Sequence, residues 1–277
     1  MLSKGLPMTL KVFYRISDRS YLKPKLPGAD KFVCYESFRE AFPEANITII
    51  ADHTHPDTKE YFCGLDVIQT ELGNAASLRY AIKWAIDEAK RYDFVYFAED
   101  DYLYRKGASS VLMEGAELAD YVTLYDHPDK YTKQYRMGEI SQVRRTKSSH
   151  WRYTLSTCMT FGVWTDILKH DLNFWQEYTK GDHPNDHQVF ADLNGANRKL
   201  AVSIPGWACH TDLTFSGAVQ NFLIDDWAVE QMIQKLEKSV EAVKDPNFQD
   251  LYRRMQMPSQ NWQKLQMLEA MLNLLPK

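Results

Sequence analysis

Apolar residues follow two alternating patterns along the first half of the chain. Short apolar runs at residues 9–16, 47–50 and 94–98 are typical of strands buried in a parallel sheet. Between them, residues 30–42 and 74–90 place apolar side chains three and four positions apart, as on one face of a helix. The order strand, helix, strand, helix, strand predicts βαβ units. It therefore predicts an α/β fold with a mixed, mainly parallel sheet flanked by helices.

The second half of the chain is less regular but continues the alternation. Residues 121–125 and 199–204 predict two further strands, and residues 185–193 predict a helix. The extended segments 139–145 and 151–164 are joined by a short polar stretch, which makes a hairpin plausible.

The last part of the chain is helical in pattern, with interruptions at Pro246 and Pro258. We therefore expect one α/β domain over residues 1–225 and a helical extension over residues 226–277 that packs on the core. The apolar side chains of the extension could instead form a surface for a partner. These side chains are Trp227, Met232, Leu236, Val240 and Val243.

Composition excludes some classes of function. The chain has 277 residues, of which 44% are hydrophobic and 25% charged, as in an ordinary folded protein. The 33 basic residues are balanced by 37 acidic ones, giving a net charge of -4, so we expect no nucleic-acid partner. The oligomeric state stays open.

The cysteines and the termini give expectations about the compartment. The four cysteines lie far apart without a C-x-x-C pair, which argues against a zinc ribbon or a redox dithiol and favours buried free thiols. The first residues contain no apolar core long enough for a signal peptide, and no stretch approaches the roughly 18 apolar residues of a membrane helix. We therefore expect a cytoplasmic protein without a transmembrane segment.

Three consecutive carboxylates, Glu99, Asp100 and Asp101, follow the apolar run at 94–98. In open α/β sheets, ligands bind beyond the carboxyl ends of parallel strands. Hard oxygen ligands suit Mg²⁺ or Mn²⁺, and such an ion lets a diphosphate approach side chains that would otherwise repel it. The triplet is either a solvated turn or a metal and diphosphate site, and its position after a buried strand favours the site.

This succession of elements, ending in a DXD-like acidic motif, resembles the GT-A fold of nucleotide-sugar-dependent glycosyltransferases, nearest the family-two type. The resemblance covers roughly residues 8–225 and implies a Rossmann-like catalytic domain. It implies that Asp101 binds a divalent ion, Mn²⁺ or Mg²⁺, with Glu99 and Asp100 toward the nucleoside. Asp52, at the end of the second strand, would receive the base. The implied nucleotide-binding residues also include Arg15, Asp18 and Arg79.

The resemblance extends to two segments of the second half. A late histidine is a metal ligand in some GT-A enzymes, and His210 matches it by order in the chain; the alternative is a hydrogen-bonded structural histidine. An acidic residue that opens a helix below the acceptor site is the general base of the family. Asp186 matches it best and Asp182 is the second candidate, although both could merely cap a helix.

The function implied is a metal-dependent transfer of a sugar from a nucleotide-diphosphate sugar to an acceptor hydroxyl, on a carbohydrate or another molecule. A carboxylate base implies inversion at the anomeric carbon. Sugar-phosphate nucleotidyltransferases share the sheet pattern but need a glycine-rich loop after the first strand, which KVFYRISDRS lacks. The alternative of another class is a non-catalytic nucleotide-binding or assembly protein that retains the fold.

Basic and aromatic residues of the second half allow two interpretations each. A basic group in the predicted hairpin could hold the diphosphate or the acceptor, or could be a solvated surface. It consists of Arg144, Arg145, Lys147 and Arg152, with Trp151. Three tryptophans, Trp164, Trp175 and Trp207, could stack on a sugar ring or belong to the core.

Overall fold

The structure is a computed structural model of the chain. It describes residues 9–19, 25–26, 28–88, 93–127, 130, 141–212 and 234. The predicted boundary at residue 225 and, apart from residue 234, the predicted helical extension lie outside the described residues.

Eleven strands and seven helices are assigned in the described part of the chain. The strands are β1 (Leu10–Ser17), β2 (Asn46–Asp52), β3 (Val67–Thr70), β4 (Phe94–Glu99), β5 (Tyr102–Tyr104), β6 (Tyr121–Thr123), β7 (Arg144–Arg145), β8 (His150–Thr154), β9 (Phe161–Trp164), β10 (Leu200–Ile204) and β11 (Ala208–His210). The helices are α1 (Lys31–Ala41), α2 (Pro56–Tyr61), α3 (Asn74–Asp87), α4 (Ala108–Ala116), α5 (Thr165–His170), α6 (Leu172–Tyr178) and α7 (Asp186–Gly195).

Nine of these strands form one sheet in the order β3-β2-β1-β4-β9-β6-β10-β8-β7. The first four run parallel, and β9 and β8 run against their neighbours. The predicted α/β fold, with a mixed, mainly parallel sheet flanked by helices, is confirmed. A separate small sheet pairs β11 with β5.

Strand alternation produces two cores, one on each face of the sheet. In β1, Val12 and Tyr14 join the core that includes α1 and α4, while Phe13 joins the core that includes α3 and α7. The side chains of a strand point to opposite faces in turn, so Arg15 lies on the same face as Phe13 and α3. This places the Arg15 side chain beside the start of α3.

Some elements differ from the expectation. The segment after β2, for which no element was predicted, contains the short helix α2, which starts at Pro56. The predicted hairpin exists only as β7 and β8. Residues 161–164 form β9 in the middle of the sheet instead, between β4 and β6. Gly162 makes this insertion possible, because a Cβ there would lie 2.4 Å from a ring carbon of Phe94.

The described cysteines are free thiols, as predicted. Cys34 is buried, whereas Cys63 is exposed, so the prediction that all are buried is wrong for Cys63. Among the helices of the described ranges, none has the length and apolar character needed to cross a bilayer.

Candidate active site

The predicted site residues of the first half lie along one edge of the sheet, where β1, β2 and β4 end together. In the strand register Ser17 is level with Asp52, and Arg15 is level with Glu99. Parallel strands bring these carboxyl ends side by side because each strand is connected through a helix on a sheet face. The register thus brings Arg15, Asp52 and Glu99 to the same end of the sheet, whereas their roles in binding stay predictions.

The three carboxylates of the triplet take different partners. The Glu99 Oε1 atom lies 3.5 Å from a guanidinium nitrogen of Arg15. Asp100 accepts a hydrogen bond of 3.0 Å from the backbone N–H of Ser17, which fixes the end of β1. Asp101 places its Oδ2 atom 3.2 Å from Nε2 of His210. One of the three therefore faces the histidine predicted to share a metal ion with it.

The small sheet brings His210 to the triplet across more than a hundred residues of sequence. In the pairing of β11 with β5, His210 is level with Tyr102. Thr211 then donates two hydrogen bonds to the backbone carbonyl of Asp101, of 2.9 Å from its N–H and 3.0 Å from its hydroxyl. The contact between His210 and Asp101 is thus held by backbone as well as by side chains.

The triplet is an unfavourable place for negative charge. Burial raises the pKa of Glu99 to about 7; Arg15 opposes this shift and the charge of Asp101 adds to it. Burial and the charge of Asp101 also raise the pKa of Asp100 to about 6, against the Ser17 N–H and the charges of Lys25 and Lys31. A cation bound here would relieve the repulsion between these carboxylates.

The donor set at Asp101 and His210 fits a divalent ion that takes its remaining ligands from substrate. Among the described residues no group of three or more His, Cys, Asp or Glu side chains is arranged to hold an ion. A carboxylate and an imidazole supply one oxygen and one nitrogen ligand. Mg²⁺ and Mn²⁺ commonly complete such a shell with phosphate oxygens and water.

The ring of His210 is oriented by a second hydrogen bond. Its Nδ1 atom accepts from the backbone N–H of Asp212 at 3.1 Å. In the neutral ring the proton is then assigned to Nε2, facing Asp101. Coordination through Nε2 requires this proton to move to Nδ1 and the Asp212 bond to break. The geometry therefore favours Asp101 as the direct ligand of a metal ion. The two roles predicted for His210, metal ligand and hydrogen-bonded structural histidine, both stay predictions.

Arg15 and Asp18 anchor the end of β1. Arg15 is buried and donates to both the side-chain oxygen and the carbonyl of Asn74, at 2.5 and 2.9 Å. Asp18 binds Lys31 and accepts from the His55 N–H at 2.5 Å. Burial acts to raise the pKa of Asp18, but these bonds outweigh it and hold the pKa below its usual value.

The carboxylate of Asp52 is hydrogen-bonded by neighbouring residues. Its carboxylate accepts hydrogen bonds from the Thr70 hydroxyl at 2.8 Å and from the N–H groups of Leu72 and Gly73, and its Oδ2 atom lies 2.8 Å from Nδ1 of His53. Burial acts to raise the pKa of Asp52, yet these donors lower it. In this arrangement Asp52 orders the turn between β3 and α3, and its predicted contact with a base stays a prediction.

Arg79 lies on α3 and connects two helices. Its guanidinium donates to the carbonyl of Thr179, the residue that follows α6. This bond fixes α6 against α3. The nucleotide-binding role implied for Arg79 also stays a prediction.

Asp186 is the first residue of α7, as predicted for the candidate base, and its carboxylate accepts from the His187 N–H at 2.7 Å. Burial raises its pKa, against the His187 N–H and the charges of His127 and His187. Asp182 lies four residues earlier with an exposed side chain, and its backbone carbonyl accepts from the Ala75 N–H at 3.2 Å.

The thiol of Cys158 senses charges from both halves of the chain. Burial raises the pKa of this thiol, and the negative charges of Asp186, Glu99 and Asp101 raise it further. Nothing in the sequence around Cys158 signals this position, because a single cysteine has no motif.

Other residues beside the site were missed because they follow short strands. Tyr125 stacks edge-on against Tyr102 at 5.4 Å between ring centres, and His127 packs on Tyr125 at 5.3 Å. Asp126, between them, is buried and forms an ion pair of 2.7 Å with Arg152. β6 ends only two to four residues before them, and turn residues after a strand of three residues carry little pattern.

The basic residues and the tryptophans of the second half differ in burial. Arg144, Arg145 and Lys147 are exposed at the β7 end of the sheet, whereas Arg152 is buried. Trp175 is fully buried and stacks on Phe161, with ring centres 4.7 Å apart. Trp164 and Trp207 are half-buried, and Arg105 lies 4.7 Å from the Trp207 ring.

No protein-family model matches the sequence, and no curated protein matches it. Several solved structures share part of its chain path. The galactosyltransferase LgtC, solved with donor and acceptor sugar analogues, is 12% identical, and the match covers 80% of this chain and 95% of LgtC with a TM-score of 0.44. TarS residues 1–349 from S. aureus is 13% identical, with 96% and 71% covered and a TM-score of 0.43.

A third similar structure is a candidate nucleotide-diphospho-sugar transferase from Desulfovibrio desulfuricans G20. It is 10% identical, with 96% of this chain and 98% of that chain covered and a TM-score of 0.46. At this level the likeness concerns the path of the backbone alone. The narrower resemblance to family two stays a prediction.

Proposed function

We propose that this protein is a metal-dependent glycosyltransferase that moves a sugar from a nucleotide-diphosphate sugar to an acceptor hydroxyl with inversion. The observation that carries the proposal is the contact of 3.2 Å between Asp101 and His210 at the carboxyl end of a central parallel strand. This contact brings together a carboxylate and an imidazole that are distant in the sequence. They meet at the end of the sheet where α/β proteins bind ligands.

Asp101, with His210 beside it, would hold a Mn²⁺ or Mg²⁺ ion. When bound, that ion supplies positive charge to the diphosphate that leaves with the nucleoside. Glu99, the last residue of β4, and Asp100, which accepts from the Ser17 N–H at the end of β1, would face the nucleoside. Arg15, buried 3.5 Å from Glu99, keeps one positive charge beside the triplet.

Asp186 is the proposed general base. It takes the proton of the acceptor hydroxyl as that oxygen bonds to the anomeric carbon and the bond from this carbon to the diphosphate oxygen breaks. Its raised pKa suits this role, because a carboxylate of higher pKa is a better proton acceptor near neutral pH. Asp182 is the second candidate, although its carbonyl is already tied to α3.

The test is a panel of nucleotide sugars with Mn²⁺, scored for nucleoside-diphosphate binding and for release of nucleoside diphosphate. We expect binding of one nucleoside diphosphate that requires the ion and that is lost, by about a hundredfold or more, in Asp101→Ala. Asp87→Ala is the matched control, since Asp87 is an exposed carboxylate at the far end of α3. Full binding by Asp101→Ala without an ion would refute the proposal.

Asp186→Asn separates chemistry from donor binding. We expect turnover to fall by about a hundredfold or more while donor affinity is unchanged, because the base acts on the acceptor. Retained turnover would move the base to another residue. Binding of a nucleotide with no turnover on any sugar donor would instead favour the non-catalytic, fold-retaining alternative.

A further inference from the structure

A chain of polar contacts runs from the acidic triplet to the loop that carries Asp186. It begins with Glu99, whose carboxylate faces Arg15 at 3.5 Å. Arg15 is 8% exposed and donates to the Asn74 side chain at 2.5 Å and to its carbonyl at 2.9 Å. Asn74 is the first residue of α3, so the guanidinium connects the end of β4 to the start of that helix.

The second part of the chain joins α3 to the loop before α7. The side-chain nitrogen of Asn74 lies 3.5 Å from Nδ1 of His183, and the Ala75 N–H donates to the carbonyl of Asp182 at 3.2 Å. At the start of a helix the first N–H groups lack partners within the helix. Here the loop at 182–183 provides one, so the loop is attached to α3 by backbone and by side chain.

The loop is also attached to the end of α6. Asp182 and His183 are exposed, and Asp186 follows three residues after His183. Asn185, the residue before Asp186, donates its N–H to the Tyr178 carbonyl at 2.9 Å, and its side chain caps α7 by accepting from the Gln188 N–H at 3.3 Å. The carboxylate at the start of α7 is therefore positioned by two attachments of the loop, one at Tyr178 and one at the start of α3.

We propose that Asn74 is a positioning residue, which with Arg15 joins the donor side of the site to the loop 182–186. This inference rests on the proposed function, because it gives the loop the task of presenting Asp186. Binding of a ligand at the acidic triplet and the position of Asp186 are then coupled. The buried guanidinium of Arg15 cannot move away from Glu99 without also releasing Asn74, because it contacts both residues.

The proposal gives Arg15 a different task from the nucleotide contact implied by resemblance. Three of its contacts are internal, two with Asn74 and one with Glu99. The Nε atom and the other terminal nitrogen make no hydrogen bond, although the latter faces Glu99. An Arg15 that served only to fix β1 to α3 would not need to lie beside a carboxylate of the triplet.

The first experiment is hydrogen–deuterium exchange of the amides of residues 182–187, with and without Mn²⁺ and a bound nucleoside diphosphate. In the wild type we expect the ligands to slow exchange in this loop several-fold. In Asn74→Ala we expect faster exchange without ligand and loss of the ligand effect. Lys83→Ala, an exposed change on the same helix, is the control and should behave like the wild type.

Turnover gives the second readout. Asn74→Ala should lower kcat about tenfold while the affinity for nucleoside diphosphate changes by less than about twofold, because a misplaced base slows chemistry without weakening the donor. Asn74→Asp retains an acceptor for Arg15 and loses the donor to His183. His183→Ala removes the same contact from the other side, so the two should lower kcat by a similar factor and the double variant should add nothing further.

The outcomes separate this inference from the proposed function. Wild-type protein that binds no nucleoside diphosphate refutes the proposed function, and exchange without ligand then still tests the link between Asn74 and the loop. Wild-type binding and turnover, with loop exchange and kcat unchanged in Asn74→Ala, refute the inference alone. If Asn74→Ala lowers the melting temperature but leaves both kcat and the affinity for nucleoside diphosphate unchanged, Asn74 is merely structural. That outcome would also refute the inference.

Discussion

At the scale of single residues, the carboxylates of the site fall into two groups with opposite behaviour. Asp18 and Asp52 are surrounded by donors, and their pKa values are lowered. The pKa values of Glu99 and Asp100 are raised by burial and by the charge of Asp101, to about 7 and about 6. The first group stabilises the fold, and the second is held in an unfavourable state that a ligand can relieve.

The two groups affect stability in different ranges of pH. A carboxyl whose folded pKa is raised binds more protons in the folded state than in the unfolded state, so stability falls as pH rises between the two values. For Glu99 this range runs from 4.5 to about 7. For Asp18 and Asp52 the sign is reversed, and their contribution is lost only as pH falls below the ordinary aspartate pKa of 3.8.

Glu99→Gln should therefore stabilise the protein at neutral pH in the absence of ligand. We expect its free energy of unfolding to exceed that of the wild type by about 1–3 kcal/mol at pH 8, with the difference vanishing near pH 4. Denaturant unfolding at several pH values measures this. Glu117→Gln, on the surface at the end of α4, is the control. An equal difference in the free energy of unfolding at both pH values would show that the charge of Glu99 does not destabilise the fold.

At the scale of elements, the sequence predicted most long elements and missed most short ones, although it missed the nine-residue helix α4 and predicted the three-residue strand β6. β1, α1, β2, α3 and β4 each span six residues or more, enough for apolar periodicity to be read. Strands β3, β5 and β11 have three or four residues, and their pairing depends on partners distant in the sequence. Of the site, the acids that end β2 and β4 could be located from the sequence, whereas Cys158, Tyr125 and Asn74 depend on contacts between elements.

The insertion of β9 into the middle of the sheet depends on one glycine. A Cβ at Gly162 would lie 2.4 and 2.8 Å from two ring atoms of Phe94, which is fully buried. Gly162→Ala should therefore destabilise the fold by about 1–3 kcal/mol, because the ring must leave its packed position.

Gly195→Ala is the matched comparison for that substitution. A Cβ at Gly195 would meet nothing within 4 Å, and this glycine ends α7. Since alanine favours a helix by up to about 1 kcal/mol over glycine, this change should raise stability slightly. Thermal melts of both variants would measure the contrast, and equal melting temperatures would contradict the packing described for β9.

At the scale of the whole molecule, the parallel half of the sheet supplies the acidic triplet and the less regular half supplies His210 and Asp186. Nine strands in one sheet give both halves a common support. The resemblance led to the prediction that His210 and Asp186 belong with the triplet; His210 lies beside Asp101, and the role of Asp186 stays a prediction. The resemblance could not show how they are attached, because the attachments are hydrogen bonds between residues about a hundred positions apart.

Binding at such a site should stabilise the whole fold. With nucleoside diphosphate and Mn²⁺ at about a hundred times the dissociation constant, the wild type should gain about 2.7 kcal/mol, visible as a higher melting temperature. Adding a chelator should remove the gain, and Asp101→Ala should show none. A gain that survives the chelator would mean that the nucleotide binds without an ion.

The return of β11 to β5 also determines when this site can first exist. The hydrogen bond from the Thr211 hydroxyl to the Asp101 carbonyl spans 110 positions. During synthesis, the four parallel strands can leave the ribosome and assemble long before Thr211 is made. A nascent chain arrested before residue 208 would thus display the acidic triplet without its histidine, and the contact between Asp101 and His210 could form only after β11 is made.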